Sequence, residues 1–290
     1  MFQRKTFHLN LRAHELVLGP RTLIMGVLNL TPDSFSDGGN YPSVAHAVKA
    51  ALAMQRAGAD ILDVGAESTR PGSHGVSAAE EIARLLPVLE ALRGRLKIPI
   101  SVDTRKAAVA EIALGAGAEI LNDVTGLRHD PRLAEVAAQH GAGLVLMHMR
   151  GTPETMQKMP FAKDVLQDVI AGLRKSIVAA RQAGVAKSRI VVDPGIGFGK
   201  SFEQNYELLA KLPELAKLRY PLLVGTSRKG FIGKTLASKQ GKAAPADQRI
   251  WGTATTVAAS ILNGAHIVRV HDVLEMAQVA RIADCVLQAQ

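Results

Sequence analysis

The chain reads as an α/β protein, a (β/α)8 TIM barrel behind a short N-terminal β-hairpin, and three observations predict it. Eight short, apolar and largely β-branched runs recur along the sequence. Segments with apolar residues three or four apart separate them, the spacing of one buried helical face. Each run ends on polar residues, at the pole where parallel barrels carry their chemistry. With 290 residues and 47% hydrophobic content the chain can bury one large core. No linker divides it, so a single domain spans 1–290, with the hairpin at 6–18 and the barrel at 22–290.

Residues 6–18 alternate apolar and polar around Arg12-Ala13-His14-Glu15, a hairpin pattern suited to plugging the barrel bottom. The eight predicted strands cover 22–29, 61–65, 98–103, 120–124, 143–148, 190–193, 221–225 and 265–271. Val44, Val48, Ala51 and Leu52 mark the first helix, and Val165, Val169, Leu173 and Ile177 one of the longest. Gly58, Gly115, Gly141, Gly184 and Gly264 precede strands as helix-ending glycines would. The unit from Ile98 to Ile120 is barely long enough for a parallel crossover and is the weak point of the pattern. A doubly wound open sheet is the alternative, with ligands at a topological switch point.

At the carboxyl ends of the predicted strands stand Asn29, Glu67 to Arg70, Asp103, Asn122 with Asp123, His148, Asp193, Ser227 to Lys229, and Arg269 with His271. Each alone has an ordinary explanation: Asp103 as a helix cap, Asn122 as a turn former. Asp193 ends a β-branched run and opens Pro-Gly-Ile-Gly-Phe-Gly-Lys200, where alternating glycines let the backbone approach a ligand. Eight such placements at one pole point to a site.

Composition excludes several classes. Lys and Arg exceed Asp and Glu to give a net charge of +9, but the basic residues are scattered and aromatics make up only 4%. That pattern fits attraction of small anionic substrates and no nucleic-acid partner. No run of 18 apolar residues or signal-like start occurs, so no membrane span or export is expected. The single Cys285 forbids an internal disulfide, pointing to a cytoplasmic location, and reads as a small core hydrophobe.

Five segments, Met25 to Gly39, Gly65 to Gly72, Asp193 to Lys200, Thr226 to Gly230 and Arg269 to Asp272, resemble the dihydropteroate synthases, in order and with barrel spacing. Ala66 stands where many members carry a second glycine, and residues 11–19 match no family pattern. The resemblance implies condensation of 6-hydroxymethyl-7,8-dihydropterin diphosphate with 4-aminobenzoate, giving 7,8-dihydropteroate and diphosphate in folate biosynthesis. It further implies Mg²⁺, sulfonamide inhibition and a homodimer.

Carried onto this chain, the resemblance places Asp103, Asn122, Met147, Asp193 and Lys229 around the pterin. A carboxylate such as Asp193 can accept both parallel donors of the ring's amino edge. Asn29, Thr69, Arg269 and His271 are expected at the diphosphate, with Asn29 on the metal. Arg70, Pro71, Phe198 and Ser227 would wall the aminobenzoate pocket, and Phe35 would sit on a closing loop. The catalytic set is then Asp103, Asp193, Lys229 and Arg269, acting by positioning and leaving-group stabilisation. A methyltetrahydrofolate-type pterin methyltransferase would share the Asp and Asn but needs no diphosphate-holding Arg269 and His271. A non-catalytic pterin-binding paralogue would be expected to have lost some of these residues.

Overall fold

The computed structural model describes residues 4–31, 43–68, 73, 75–152, 154–156 and 161–289. Strand β1 (Phe7–Asn10) pairs antiparallel with β2 (Glu15–Leu18), as the alternation predicts. Among the described residues eight parallel strands follow. They are β3 (Leu23–Asn29), β4 (Ile61–Gly65), β5 (Ile100–Asp103), β6 (Ile120–Asp123), β7 (Gly143–Met147), β8 (Ile190–Asp193), β9 (Leu223–Val224) and β10 (Ile267–Val270). Their order is β8-β7-β6-β5-β4-β3-β10-β9. A parallel bridge between Val192 and Leu222 joins the two ends and closes the cylinder.

Helices α1 (Val44–Arg56), α2 (Ala78–Leu92), α3 (Ala107–Gly115), α4 (Arg132–His140) and α5 (Val165–Gln182) alternate with the first strands. Next come α6 (Phe202–Ala210), the single turn α7 (Leu212–Leu215), α8 (Gly230–Thr235), α9 (Ile250–Leu262) and α10 (Val273–Gln288). The doubtful crossover is spanned by α3, nine residues long. There the left-handed turn falls on Gly117, at φ 114°, rather than on Gly115, which is the last helical residue.

Side chains along a strand alternate between the two faces of the sheet, and here the alternation sorts the core into two bodies. Ile24, Leu62, Val64, Val102, Leu121, Leu144, Leu146, Val192 and Val268 face outward and pack under the helices. The opposite parity, Leu23, Met25, Ile61, Ile120, Val145, Val191, Leu223 and Ile267, fills the lower barrel together with Leu9, Leu11 and Leu18 of the hairpin. The hairpin is thus the floor of the cylinder. Buried Glu119 fastens it, accepting from the backbone N–H groups of Ala13 at 2.7 Å and His14 at 3.2 Å.

One expectation changes on the last helix. Cys285 is exposed rather than a core residue. The buried face of α10 runs through Val273, Met276, Ala280, Ala283 and Asp284, and one further residue turns about 100° away from it. The buried Asp284 accepts from Arg4 at 2.7 Å and from the Thr22 backbone at 2.7 Å, an ion pair that no apolar periodicity could reveal.

Candidate active site at the carboxyl ends of the strands

On four of the strands, two residues beyond the floor position, the same inward parity turns polar. Ile61 is followed by Asp63, Ile120 by Asn122, Val191 by Asp193 and Ile267 by Arg269. The strand register places Asn29, Gly65, Asp103 and Asn122 side by side, and Met147 beside Asp193. The interior therefore changes from hydrocarbon to hydrogen-bonding groups over one step of about 6.6 Å. The polar layer is buried, with Asp63, Asp103, Asn122 and Asp193 nearly or fully inaccessible.

Arg269 spans this layer, donating from Nε to Asp63 at 2.7 Å and from Nη2 to Asp103 at 3.0 Å. Asn122 donates from Nδ2 to the same Asp63 oxygen at 3.1 Å. Asp193 accepts the backbone N–H of Gly195 at 2.7 Å. Lys229 lies 3.9 Å from the centre of the Phe198 ring, a cation–π contact at the edge of the same site. Gly197, at φ 86°, leaves room for that lysine: a Cβ there would lie 3.1 Å from Lys229 Cδ. Met147 and Phe198 join Val124, Met149 and Met156 in an apolar cluster, a polarizable wall suited to a flat ring.

Burial shifts the charges toward neutrality. It raises the Asp193 carboxyl to about 6, against the Gly195 N–H and the cations Lys229, Lys200 and Arg269. It raises Asp103 to about 7, with Arg269 opposing and Asp63, Glu81 and Asp123 adding to the rise. Lys229 falls to about 8, first through burial and then through Arg269. His271 is held neutral, its pKa lowered to about 3 by burial and by Arg269, Arg228 and Lys229. Ser227 Oγ accepts the His271 backbone N–H at 3.2 Å and lies 3.0 Å from His271 Nδ1. The Oγ–Nδ1 contact is a single hydrogen bond whose donor is set by the His271 tautomer.

The structure brings Asp103, Asn122, Asp193, Lys229, Arg269, Met147 and Phe198 to one mouth. It adds Asn29 beside Gly65, and Ser227 with His271 on the β9–β10 side. Arg269 is engaged by two carboxylates rather than held free for an anion, and Ser227 is engaged by His271. Thr69, Arg70, Pro71 and Phe35 lie outside the described residues. His148 and Asp123 face outward. His148 lies between Lys200, at 3.0 Å from Nδ1, and Asp168, at 3.4 Å from Nε2. Asp123 caps the following turn through Thr125 and Leu127. Asp63 and Ser101 also belong to the polar layer, although they lie inside their strands and not at the ends to which the sequence points. Parity was the available signal, since Asp63 shares its face with Ile61.

Among the described residues no three His, Cys, Asp or Glu side chains gather to hold a metal. Asn29 offers one hard oxygen, and a Cβ at Gly65 would fill the gap between it and Asp103, 3.8 Å from Asn29 Oδ1 and 3.4 Å from Asp103 Cβ. This suits Mg²⁺, which keeps waters and takes substrate phosphate oxygens, better than a metal needing a protein cage.

Residues 25–271 match the family model described as "Pterin binding enzyme". A dihydropteroate synthase of Synechocystis sp. is 49% identical over 92% of this chain and 90% of its own length. The Yersinia pestis dihydropteroate synthase, solved with a sulfonamide drug complex, superimposes with a TM-score of 0.90 at 42% identity, covering 98% of this chain and all of that one. The Xanthomonas albilineans dihydropteroate synthase solved with 4-aminobenzoic acid gives 0.89 at 40% identity, covering 99% of this chain and all of that one. With the closed barrel, the polar mouth and these likenesses in agreement, the chain belongs to the pterin-binding enzyme family.

Proposed function

We infer that the chain condenses 6-hydroxymethyl-7,8-dihydropterin diphosphate with 4-aminobenzoate, giving 7,8-dihydropteroate and diphosphate. The observation that carries this is the layer of buried acceptors, Asp103, Asn122 and Asp193, adjoining the Met147 and Phe198 wall. A pterin offers that layer its 2-amino group and adjacent ring N–H, and offers the wall its flat face. The reacting carbon is a CH₂ on an electron-rich ring. Its C–O bond to diphosphate breaks as the arylamine nitrogen forms the C–N bond, and the amine then loses one proton to solvent. The amine lone pair is free at neutral pH, so no strong base is needed. Positioning and charge carry the catalysis.

Asp103 and Asp193 would stabilise positive charge developing on the CH₂. The Nη1 edge of Arg269, unengaged among the described residues, is suited to the departing phosphate oxygens, with the His271 ring two residues along the same strand end. Asn29 would hold Mg²⁺, which when bound neutralises diphosphate charge. Phe198, Lys229 and Ser227 would border the aminobenzoate subsite, the place where sulfonamides would act as mimics. A second copy of the chain is the reading we favour for the exposed Trp251 (80%), Ile282 (67%) and Leu274 (56%) on α9 and α10. A cytoplasmic location fits the single cysteine, and no helix among the described residues is long and apolar enough to cross a membrane.

The test is a coupled diphosphate-release assay with and without aminobenzoate and Mg²⁺. Release that requires both is expected. Release that ignores aminobenzoate would refute the condensation, and release unchanged by chelation would refute the metal assignment.

A further inference from the structure

We propose that Asp63, a residue in the middle of β4, is a positioning residue that fixes which hydrogen bonds the pocket offers its ligand. The inference rests on the pterin reading above and deepens it by assigning the source of the selectivity. Asn122 sits in the row of Asn29, Gly65 and Asp103, and Asp63 lies two residues lower on the inward face of β4. Its Oδ2 accepts from Asn122 Nδ2 at 3.1 Å and from Arg269 Nε at 2.7 Å. An amide can present either its oxygen or its NH₂, and the two ends are interchangeable in shape. A carboxylate beneath it removes that freedom, because only the NH₂ end can face a carboxylate oxygen. With Nδ2 committed downward, Asn122 Oδ1 is turned up toward the mouth.

The pocket then presents acceptors at three places, Asn122 Oδ1, Asp103 and Asp193, while Arg269 is locked in the plane joining Asp63 to Asp103. Such an edge selects a heterocycle rich in N–H donors. It rejects an isosteric ring carrying a carbonyl at the same place, because two acceptors would be buried face to face. Asp63 needs no ligand contact for this; it acts through Asn122. Its other oxygen, Oδ1, is buried without a partner among the described residues, so the residue is not explained as half of a satisfied structural ion pair.

The test is calorimetric binding of 6-hydroxymethylpterin and of its 2-oxo analogue, which replaces the amino donor with a carbonyl. In the unaltered protein the pterin should bind at least tenfold tighter. Asp63→Ala frees the Asn122 amide to rotate, and the preference should fall about 5- to 100-fold, mainly by improved binding of the 2-oxo ring. Asp63→Asn keeps an acceptor oxygen and should restore most of the preference. In an Asn122→Ala background, Asp63→Ala should change the preference no further. Should the alanine variant fail to fold, Asp63→Leu removes the acceptor while filling the space, with the same expectation. An unaltered protein that does not prefer the pterin would refute the pterin reading itself. A protein that prefers it, with the preference intact in Asp63→Ala or Asp63→Leu, would overturn the role of Asp63 alone.

Discussion

Replacing Asp193 by Asn tests the central contact of the site most directly, because the change removes a charge at nearly constant shape. In the unaltered chain, burial holds the Asp193 carboxyl at about 6, so it is ionised at pH 7.5 and can accept two donors from a bound ring. The variant loses that charge, and its NH₂ either meets a ligand donor or turns toward the Gly195 N–H. Breaking a buried, charge-assisted pair in this way costs about 2–5 kcal/mol, a loss of roughly 30- to several-thousandfold in pterin affinity. The pH dependence makes the argument sharper. A carboxylate with a pKa of about 6 is roughly nine-tenths protonated at pH 5, so the unaltered protein should bind pterin about tenfold more weakly there, or about 1.4 kcal/mol. Asp193→Asn has no proton to take up at this position and should show a nearly flat profile from pH 7.5 to 5. Calorimetry across that range reads both quantities. The same slope in both proteins would assign the titration to another group, with Asp103 at about 7 the first candidate. Unchanged affinity at pH 7.5 would remove Asp193 from the site.

Three further outcomes follow from the geometry. Gly195→Ala places a Cβ 1.9 Å from the His148 carbonyl oxygen at φ 67°, and should destabilise the protein by about 3 kcal/mol or more. Gly230→Ala, with open space around it, is its control, and thermal unfolding of the two variants checks the contrast. Arg269→Lys can bridge only one of Asp63 and Asp103, and should lower turnover of the diphosphate ester about 10- to 100-fold while weakening free pterin less. Equal losses in steady-state kinetics and in binding would restrict Arg269 to pterin recognition. Buried His266 accepts the Leu222 N–H at 3.1 Å and bonds the Lys5 carbonyl oxygen at 3.0 Å. Burial lowers its pKa to about 4, from an ordinary 6.5. A lowered folded-state value gives stability present above about 6.5 and lost as pH falls through about 4, worth roughly 3 kcal/mol. Urea midpoints of His266→Gln should therefore fall less steeply over that window than those of the unaltered chain.

The sequence made the strands legible because burial on both sides of a parallel barrel demands continuous apolar runs. It made the site legible because polar groups interrupt those runs at one end. The hairpin followed from its alternation, and its role as a floor from Leu9, Leu11 and Leu18 sharing a cluster with Ile61 and Ile267. Asp63 escaped because a charged residue inside a strand looks like an anomaly until the barrel supplies Arg269 from 206 residues away. The engagement of Ser227 by His271 is invisible in the sequence because that bond spans 44 residues and leaves no local trace. The burial of Asp284 beside Arg4, in place of Cys285, has the same origin. Local rules locate the faces of each element, whereas pairing between distant charges is a property of the closed form.

The two-faced sorting of the strands limits how this protein can change. Deleting one residue from β4 would swap Leu62 with Asp63, putting hydrocarbon against Arg269 and a carboxylate under the helical shell. Ligand chemistry and shell packing would fail in a single step, with no intermediate that keeps one of them. Insertions and deletions are therefore tolerable in the connections and forbidden in the staves, so that lineages of this protein should vary in loop length around a strand count and phase that do not drift.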